Sequence, residues 1–287
     1  MLITGASGRV ARRTAELLAS KGHALRLMTR TPQRVPGLVN SEIVYGDFAK
    51  PASLDNAFAD VTTALIVSGF AEPGKRARLH RNAFEAAARA HVQHVVYLSL
   101  QGAGPDSKYP FSRDHALSEQ YLAATGLPFT VLRNAFYMDM FLDMLDATGV
   151  IRGPAKQGRG AFVSREDCAR VAAAALNAPP GGTYDITGPE ALSLTDVARR
   201  LSAIVGRELR YEDESIEAGR DWRSKSGEPA WRVELSLGWY EAIAVGELER
   251  TSDTVQRFIG RSPLDIESYF AAFPGLLRGL QPAGSAS

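Results

Sequence analysis

The sequence contains a single cysteine, Cys168, among its 287 residues. One thiol excludes an intramolecular disulfide, so the default expectation is a reducing, cytoplasmic setting. The sequence also lacks an apolar run long enough to span a bilayer, and we predict no membrane partner. A strand-like run begins almost at Met1, so no signal peptide is expected ahead of it.

An excess of charge of one sign is lacking too. The formal net charge is +1, which gives no electrostatic case for binding nucleic acid or an anionic surface. The five histidines and the cysteine show no metal-ligand spacing, so no metal site is predicted. Hydrophobic content of 45% and charged content of 23% are ordinary for a globular protein, which we expect to be a monomer or a homodimer.

The first segment predicts a strand, a tight glycine turn and a helix. It reads Leu-Ile-Thr-Gly-Ala-Ser-Gly-Arg-Val-Ala over residues 2–11, and apolar residues at helical spacing follow. Glycine at position 5 allows a sharp turn, and glycine at position 8 allows the backbone to approach a pyrophosphate. The N–H groups at the start of the helix would then bind the phosphates. We therefore predict a dinucleotide site at Gly5, Ser7, Gly8, Arg9 and Val10.

Strand-like and helix-like segments alternate as far as residue 134. The predicted strands are 24–29, 42–45, 63–68, 95–99 and 129–133, and the predicted helices after the first are 51–59, 80–91 and 112–124. Continuous Val, Ile and Leu runs bounded by turns indicate a parallel sheet covered on both faces. With right-handed crossovers, the predicted fold class is α/β, a doubly wound parallel Rossmann sheet.

The alternation ends after residue 134. An apolar, aromatic stretch (135–145) and a glycine-rich loop (149–160) precede a helix that Ser164 to Asp167 should open with a capping box. A strand at 183–186 and helices at 193–206, 229–249, 252–259 and 263–273 follow. We assign 1–134 and 164–188 to a dinucleotide-binding domain, 135–163 and 189–278 to a smaller, mostly helical substrate lobe, and 281–287 to a disordered tail.

The end of the second predicted strand indicates which dinucleotide is bound. In a dinucleotide fold, this position meets the adenosine ribose, where an acid suits a free 2′-hydroxyl and a cation suits a 2′-phosphate. Arg30 stands here, and Arg34 follows four residues on. We interpret the two arginines as a preference for NADPH over NADH. The alternative is that both are solvated turn residues.

The ends of the third and fourth predicted strands provide further candidates for cofactor binding. Asp47 can accept a hydrogen bond from the adenine amino group and Phe48 can flank the ring, although a turn aspartate and a core phenylalanine would look the same. Ser68 and Gly69 end the fourth strand, where the central ribose and the nicotinamide would run. Gly69 would allow close approach of the backbone.

The helix after the fifth strand lacks the Tyr-x-x-x-Lys pair of short-chain dehydrogenases. Phe111 and His115 stand at the two positions, and Pro110 separates Tyr109 from the helix. Reducing an isolated ketone needs a strong local acid, whereas a quinone gives a delocalised, weaker base and needs mainly orientation and a polar contact. We predict that His115 is the catalytic residue that provides this contact. The alternative is that it only holds a ribose or caps a loop.

Two segments closely resemble the NmrA-like atypical short-chain dehydrogenases. They are residues 115–119, His-Ala-Leu-Ser-Glu, and residues 127–137, Leu-Pro-Phe-Thr-Val-Leu-Arg-Asn-Ala-Phe-Tyr. The glycine turn, residues 66–69 and residues 250–260 extend the likeness over nearly the whole chain. Within the family, the likeness is to type 2 quinone oxidoreductase and triphenylmethane reductase.

The resemblance implies a Rossmann domain that binds NADPH and transfers hydride to a quinone or a similar conjugated small molecule. It places Asn134, Phe136 and Tyr137 at the substrate pocket with His115, and Phe70 on the opposite wall, where aromatic rings suit a flat acceptor. The alternative for Phe136 and Tyr137 is plain core. Two other functions remain open: a regulator that senses the dinucleotide without turnover, and a nucleotide-sugar epimerase, against which the missing Tyr-x-x-x-Lys argues.

Overall fold

The computed structural model describes residues 1–278 and 280, so the tail predicted at 281–287 lies outside the described residues. The strands are β1 (Leu2–Thr4), β2 (Leu25–Thr29), β3 (Ser41–Tyr45), β4 (Thr63–Val67), β5 (His94–Leu100), β6 (Phe129–Asn134), β7 (Val150–Gly153), β8 (Arg159–Gly160), β9 (Thr183–Ile186), β10 (Leu192–Ser193) and β11 (Arg210–Asp213).

The helices are α1 (Arg9–Ala19), α2 (Ala52–Phe58), α3 (Arg76–Arg89), α4 (Pro110–Ala124), α5 (Met140–Met144), α6 (Arg165–Ala175), α7 (Leu194–Val205), α8 (Ile216–Lys225), α9 (Ala230–Ala244), α10 (Thr254–Ile259) and α11 (Ile266–Ala272). Two short 3-10 turns, Pro32–Arg34 and Pro274–Leu277, complete the described elements. Within these residues, no helix combines the length and the apolar character that crossing a bilayer requires.

Seven parallel strands form the main sheet, in the order β3-β2-β1-β4-β5-β6-β9. The chain starts in the middle of the sheet, moves outward to β3, and returns to the other side of β1 with β4. The carboxyl ends of β1 and β4 therefore form the switch point where ligands bind in such sheets. The predicted doubly wound Rossmann class is confirmed, and the predicted strand at 183–186 is the seventh strand of the sheet.

Alternate residues of the central strands pack on opposite faces of the sheet. Leu2 belongs to a core cluster with Phe58 of α2 and Phe84 of α3. Its neighbour Ile3 belongs to a different cluster, with Leu18 of α1 and residues of α6. Because both faces are covered by helices, these strands are apolar without alternation, which is why the sequence reads as continuous hydrophobic runs.

The C-terminal region is mostly helical and packs around its own cluster of aliphatic and aromatic side chains, which includes residues of α7, α9 and α11. Helix α9 runs close to the start of α4. A Cβ atom on Gly238 of α9 would lie 2.7 Å from the carbonyl oxygen of Lys108. Only glycine permits this approach, which fixes α9 against the segment that leads into α4.

Several sequence predictions for the second half of the chain are wrong. The predicted loop at 149–160 contains β7 and β8, which pair with β11 and β10. Pairing partners distant in sequence stabilise these short strands, and a local pattern does not show them. Strand β11 and helix α8 lie in a charged stretch, 207–228, for which no element was predicted.

The capping box predicted at Ser164 forms only in part. The Ser164 hydroxyl accepts a hydrogen bond from the Asp167 backbone N–H, as expected for an N-cap. The Asp167 carboxylate does not return a bond to the Ser164 backbone. It accepts instead from the Ser164 hydroxyl, the Arg261 guanidinium and the Leu264 N–H, so it joins α6 to the segment before α11. At the start of α7, by contrast, Ser193 and Asp196 form a complete capping box.

We expect Gly188→Ala to lower the free energy of unfolding by about 1–3 kcal/mol. A Cβ at this position would lie 2.0 Å from the carbonyl oxygen of Phe162, so the backbone must shift. Urea denaturation measures the effect. Gly37→Ala is the matched control, since a Cβ there meets no heavy atom within 4 Å. Equal midpoints for the two variants would contradict the close approach.

Candidate functional site

The glycine turn after β1 is held by the two neighbouring strands. Gly5 has a φ of 62°, in the left-handed region that glycine adopts without strain. The Ala6 N–H donates to the carbonyl oxygen of Met28 in β2, over 3.0 Å. The Thr4 hydroxyl accepts from the backbone N–H of Val67 at the end of β4, over 2.9 Å. The turn therefore sits in a fixed position at the switch point of the sheet.

Helix α1 begins without a side-chain cap and without negative charge in its first turn. Gly8 is its N-cap, no side chain caps it, and no acidic residue lies in its first turn. A Cβ on Gly8 would lie 3.2 Å from the carbonyl oxygen of Gly5, so even alanine would be crowded here. The first N–H groups of a helix lack partners within the helix and carry its positive dipole end. These features fit the phosphates of a dinucleotide.

A cleft of about 1240 Å³ opens at this turn and extends to the C-terminal helices. Many of the predicted site residues line it: Gly8, Arg9, Val10, Ser68, Phe70, His115, Asn134, Phe136 and Tyr137. The cleft therefore joins the predicted phosphate turn to the predicted acceptor pocket. The Arg9 side chain turns to Asp139 at the start of α5, over 2.5 Å, and Arg165 bonds the same carboxylate over 2.8 Å.

The other predicted cofactor residues do not line this cleft. Gly5 and Ser7 lie in the turn behind it, and the Ser7 hydroxyl is 3.4 Å from that of Thr29. Arg30 and Arg34 are exposed at the end of β2 and in the 3-10 turn that follows. Their guanidinium groups make no ion pair within the described residues.

Asp47 and Phe48 follow β3 and are half-buried. One carboxylate oxygen of Asp47 accepts from the Ala49 backbone N–H over 2.9 Å, as in a turn. The Phe48 ring lies edge-on to the His80 ring, 6.4 Å away. Gly69 follows β4, and both of its backbone groups are bonded: its N–H donates to Nε2 of His80 and its carbonyl oxygen accepts from Arg76.

A continuous row of aromatic rings forms one wall of the cleft. Phe70, which is 61% exposed, lies 5.7 Å from Phe111, and Phe111 lies 5.7 Å from Tyr109. Tyr109 contacts Phe136 at 5.3 Å, and Phe136 contacts Trp239 at 4.9 Å. The ring separations suit aromatic packing. Trp239 comes from α9 and was missed by the sequence analysis, because nothing local links it to the Rossmann motifs.

Asn134 and Tyr137 lie side by side between the turn and this wall. The Asn134 side-chain amide donates to the Tyr137 hydroxyl over 3.0 Å. Its carbonyl oxygen, Oδ1, is buried and receives no hydrogen bond from the described residues. The Tyr137 ring packs under the Arg165 guanidinium at 4.0 Å, and burial raises the pKa of its hydroxyl. The unpaired amide oxygen fits a ligand that offers an N–H group.

His115 is buried, and both of its ring nitrogens are hydrogen bonded within the protein. Arg76 donates from Nη2 to Nε2 of His115 over 2.9 Å, so the ring proton must be on Nδ1, which bonds the Tyr97 hydroxyl over 2.8 Å. Desolvation, followed by the charge of Arg76, lowers the pKa of His115 well below 6.5. The ring is therefore neutral and serves to fix Arg76. A catalytic role for it stays a prediction.

His80 forms the second half of this network. Its Nε2 accepts from the Gly69 N–H over 3.1 Å, so its proton also lies on Nδ1, which faces the Ser118 and Tyr97 hydroxyls. Burial lowers its pKa well below 6.5. Sequence analysis missed both His80 and Arg76. Arg76 stands among several arginines of α3, and the sequence offers no signal that this one is buried.

Comparison with known proteins agrees with this geometry. Residues 5–179 match a protein family described as NAD(P)H-binding. The chain belongs to the NmrA-like atypical short-chain dehydrogenases. A Streptomyces griseus relative in the comparison, (4-alkanoyl-5-oxo-2,5-dihydrofuran-3-yl)methyl phosphate reductase, is 32% identical over 91% of this chain and 93% of its own. Quinone oxidoreductase 2 of Escherichia coli is 31% identical over 74% of this chain and 76% of its own.

Among solved structures, this atypical dehydrogenase is similar to the triphenylmethane reductase of Citrobacter sp. complexed with NADP(H). The two share 27% identity and a TM-score of 0.82, and the match covers 94% of this chain and 99% of the reductase. The protein is therefore an NAD(P)H-dependent oxidoreductase of the quinone oxidoreductase and triphenylmethane reductase type, and its cofactor is a nicotinamide dinucleotide.

We expect the stability of this family member to fall as the pH is lowered from about 7.5 to about 5. The unfolded chain takes up a proton at each histidine near pH 6.5, whereas buried His80 and His115 take it up only at much lower pH. The contribution of these neutral histidines to the free energy of unfolding is therefore fully present above pH 6.5. Below pH 6.5 it is lost, by up to about 1.4 kcal/mol per pH unit for each histidine. Urea midpoints measured across this range test the expectation.

The variant His80→Gln should flatten this pH dependence, because one of the buried rings whose pKa is well below 6.5 is gone. His91→Asn is the control, since His91 is exposed and its φ of 52° is one that asparagine tolerates. A wild-type protein equally stable at both ends of the range would contradict the buried, neutral state of the histidines.

Proposed function

We propose that this protein transfers hydride from NADPH to a quinone or to a similarly conjugated, electron-poor acceptor. The observation that carries the proposal is the single cleft that joins the uncapped glycine turn to the row of aromatic rings. The relatives support the acceptor class, since one is named a quinone oxidoreductase and another reduces a dihydrofuranone phosphate by its name.

The residues that would hold the dinucleotide come from the segments that follow β1, β2, β3 and β4. Gly5, Ser7 and Gly8 shape the turn, and the N–H groups of Arg9 and Val10 face the phosphates. Exposed Arg30 and Arg34 would bind a 2′-phosphate, which is the basis for NADPH in preference to NADH. Asp47 and Phe48 would lie at the adenine, and Ser68 and Gly69 along the central ribose and the nicotinamide.

The acceptor would lie against this row of rings, with Phe70 at the exposed end and Phe136 further in, and with Asn134 and Tyr137 beside it. Bound NADPH supplies the hydride. The protein residues orient a flat acceptor by stacking and keep water from the site. Neutral His115 has no free proton to give, so an acceptor that is weakly basic after reduction suits this cleft better than an isolated ketone. In this proposal, 1–134 and 164–188 hold the cofactor, while 135–163 and 189–278 complete the acceptor site.

Turnover separates this reductase from a regulator that binds the dinucleotide only. We expect saturable oxidation of NADPH, followed by its absorbance, with benzoquinones and naphthoquinones. Gly8→Asp should abolish both dinucleotide binding and turnover, because a carboxylate at the start of α1 repels phosphate. Gly8→Ala is the matched control, because it places the same Cβ 3.2 Å from the Gly5 carbonyl oxygen without adding the charge, so any loss caused by crowding appears in both variants. Tight NADPH binding without turnover would favour the sensing function.

The preference for the 2′-phosphate is tested separately from the acceptor. Arg30→Ala should weaken NADPH binding by about 10-fold to 100-fold and leave NADH binding unchanged, since a charge-assisted contact contributes on the order of 1.5–3 kcal/mol. Arg207→Ala removes an exposed arginine elsewhere and is the control. Titration of each variant by the fluorescence of the reduced dinucleotide provides the affinities. Equal losses for both dinucleotides would contradict the assignment.

A further inference from the structure

Arg76 is a buried cation without a carboxylate partner. Its side chain is only 5% exposed at the start of α3. No carboxylate lies within ion-pair distance of its guanidinium among the residues that the structure describes. Asp114, which is nearby, uses both of its oxygens to accept from the Gly74 N–H. A buried and unpaired charge is costly, and a protein retains one where something else compensates it.

The guanidinium is held on three sides, and one of its nitrogens has no hydrogen-bond partner within the part of the chain that the structure describes. Nε donates to the carbonyl oxygen of Gly69 over 2.7 Å, and Nη2 donates to His115 over 2.9 Å. The Phe111 ring lies below the guanidinium, 4.1 Å from its carbon. Nη1 is buried and has no hydrogen-bond acceptor in the described residues. Arg76 lines the cleft, so a molecule bound there can supply the missing acceptor.

The Arg76 guanidinium lies beside the two helix positions that carry the catalytic pair in short-chain dehydrogenases. Phe111 and His115 occupy the two helix positions at which short-chain dehydrogenases carry tyrosine and lysine. Arg76 contacts both of these residues although it comes from a different helix. It therefore brings a permanent positive charge to the place where the sequence lacks the lysine, and a guanidinium keeps its charge throughout the working pH range.

We propose that Arg76 Nη1 binds the oxygen of the acceptor on which negative charge develops during reduction. The inference rests on the proposed reductase function. When hydride with its electron pair adds to a conjugated acceptor, the π electrons of the carbonyl move to oxygen and leave a phenolate or an enolate. Nη1 donates a hydrogen bond to this oxygen without giving up its proton. The proton that completes the product comes from water. The ligand class is thus a planar oxyanion.

The test uses 4-nitrophenol as a stable phenolate, with the protein saturated with NADP⁺ so that no reduction takes place. The visible absorbance of the phenolate shows which form is bound across a pH series. We expect wild type to prefer the phenolate and to lower the pKa of the bound phenol. Arg76→Met should weaken phenolate binding by about 10-fold to 100-fold, and Arg76→Lys should restore part of it. Arg78→Met, an exposed arginine two residues on, is the matched control.

A second readout is the kinetics with benzoquinones whose hydroquinones differ in acidity. Arg76→Met should lose most turnover with the acceptors that give the most basic products, a dependence that general damage to the fold would not produce. Phenolate binding that is equal in wild type and in Arg76→Met overturns the inference, even where wild type turns over quinones. NADP⁺ affinity that falls by the same factor as phenolate affinity also overturns it, because Nη1 would then serve the dinucleotide. Arg76-dependent phenolate binding without any turnover supports the oxyanion site and rejects the reductase.

Discussion

The hydrogen bond from the Val67 N–H to the Thr4 hydroxyl lies at the point on which the rest of the molecule depends. It ties the carboxyl ends of β1 and β4, the two strands between which the direction of winding reverses. The glycine turn leaves one of these strands and the Ser68-Gly69-Phe70 segment leaves the other. Because the two ends are fixed together, the floor of the cleft is set by the sheet itself, and mobile loops do not have to assemble it.

Behind this floor lies the buried polar network of His80, His115 and Arg76, in which only Arg76 carries a charge. His80 and His115 each accept a hydrogen bond at Nε2 and carry the ring proton on Nδ1, so their tautomers follow from their neighbours. Arg76 keeps its charge at the cost of desolvation, which lowers its pKa. The hydrogen bonds that fix both imidazole rings make this network resist rearrangement. The rigidity extends to Gly69, both of whose backbone groups are held by the same side chains.

The fold was predictable from the sequence to a large extent, because a parallel sheet covered on both faces leaves uninterrupted apolar runs between helices. The glycine turn and the change in rhythm after Asn134 then indicated a Rossmann unit and a separate helical region. The short strands β7, β8, β10 and β11 were not predictable. Each pairs with a segment distant in sequence, and such pairing leaves no local pattern.

The candidate site was predictable only where residues belong to the sheet. Asn134 ends β6, and Ser68 and Tyr137 follow the ends of β4 and β6; strand ends meet at one edge of a parallel sheet. Trp239 and Arg76 come from helices whose faces the sequence does not assign to the cleft. For arginine the difficulty is general. Its side chain is amphipathic, so the sequence does not distinguish an arginine on the surface from one in a core. Burial, which decides the chemistry here, is a property of the tertiary structure.

The close passage of α9 over the start of α4 has a consequence for how a ligand can leave. At Gly238 the two segments meet backbone to backbone, with no side chain between them that could change rotamer and absorb a displacement. A shear of α9 would therefore carry the entry of α4 with it, together with Phe111 and His115. The wall and the helix behind it move as one body. The exposed ring of Phe70 moves with them, since it packs on Trp231 of α9 at 5.8 Å, so a ligand that leaves past this wall must displace the whole unit.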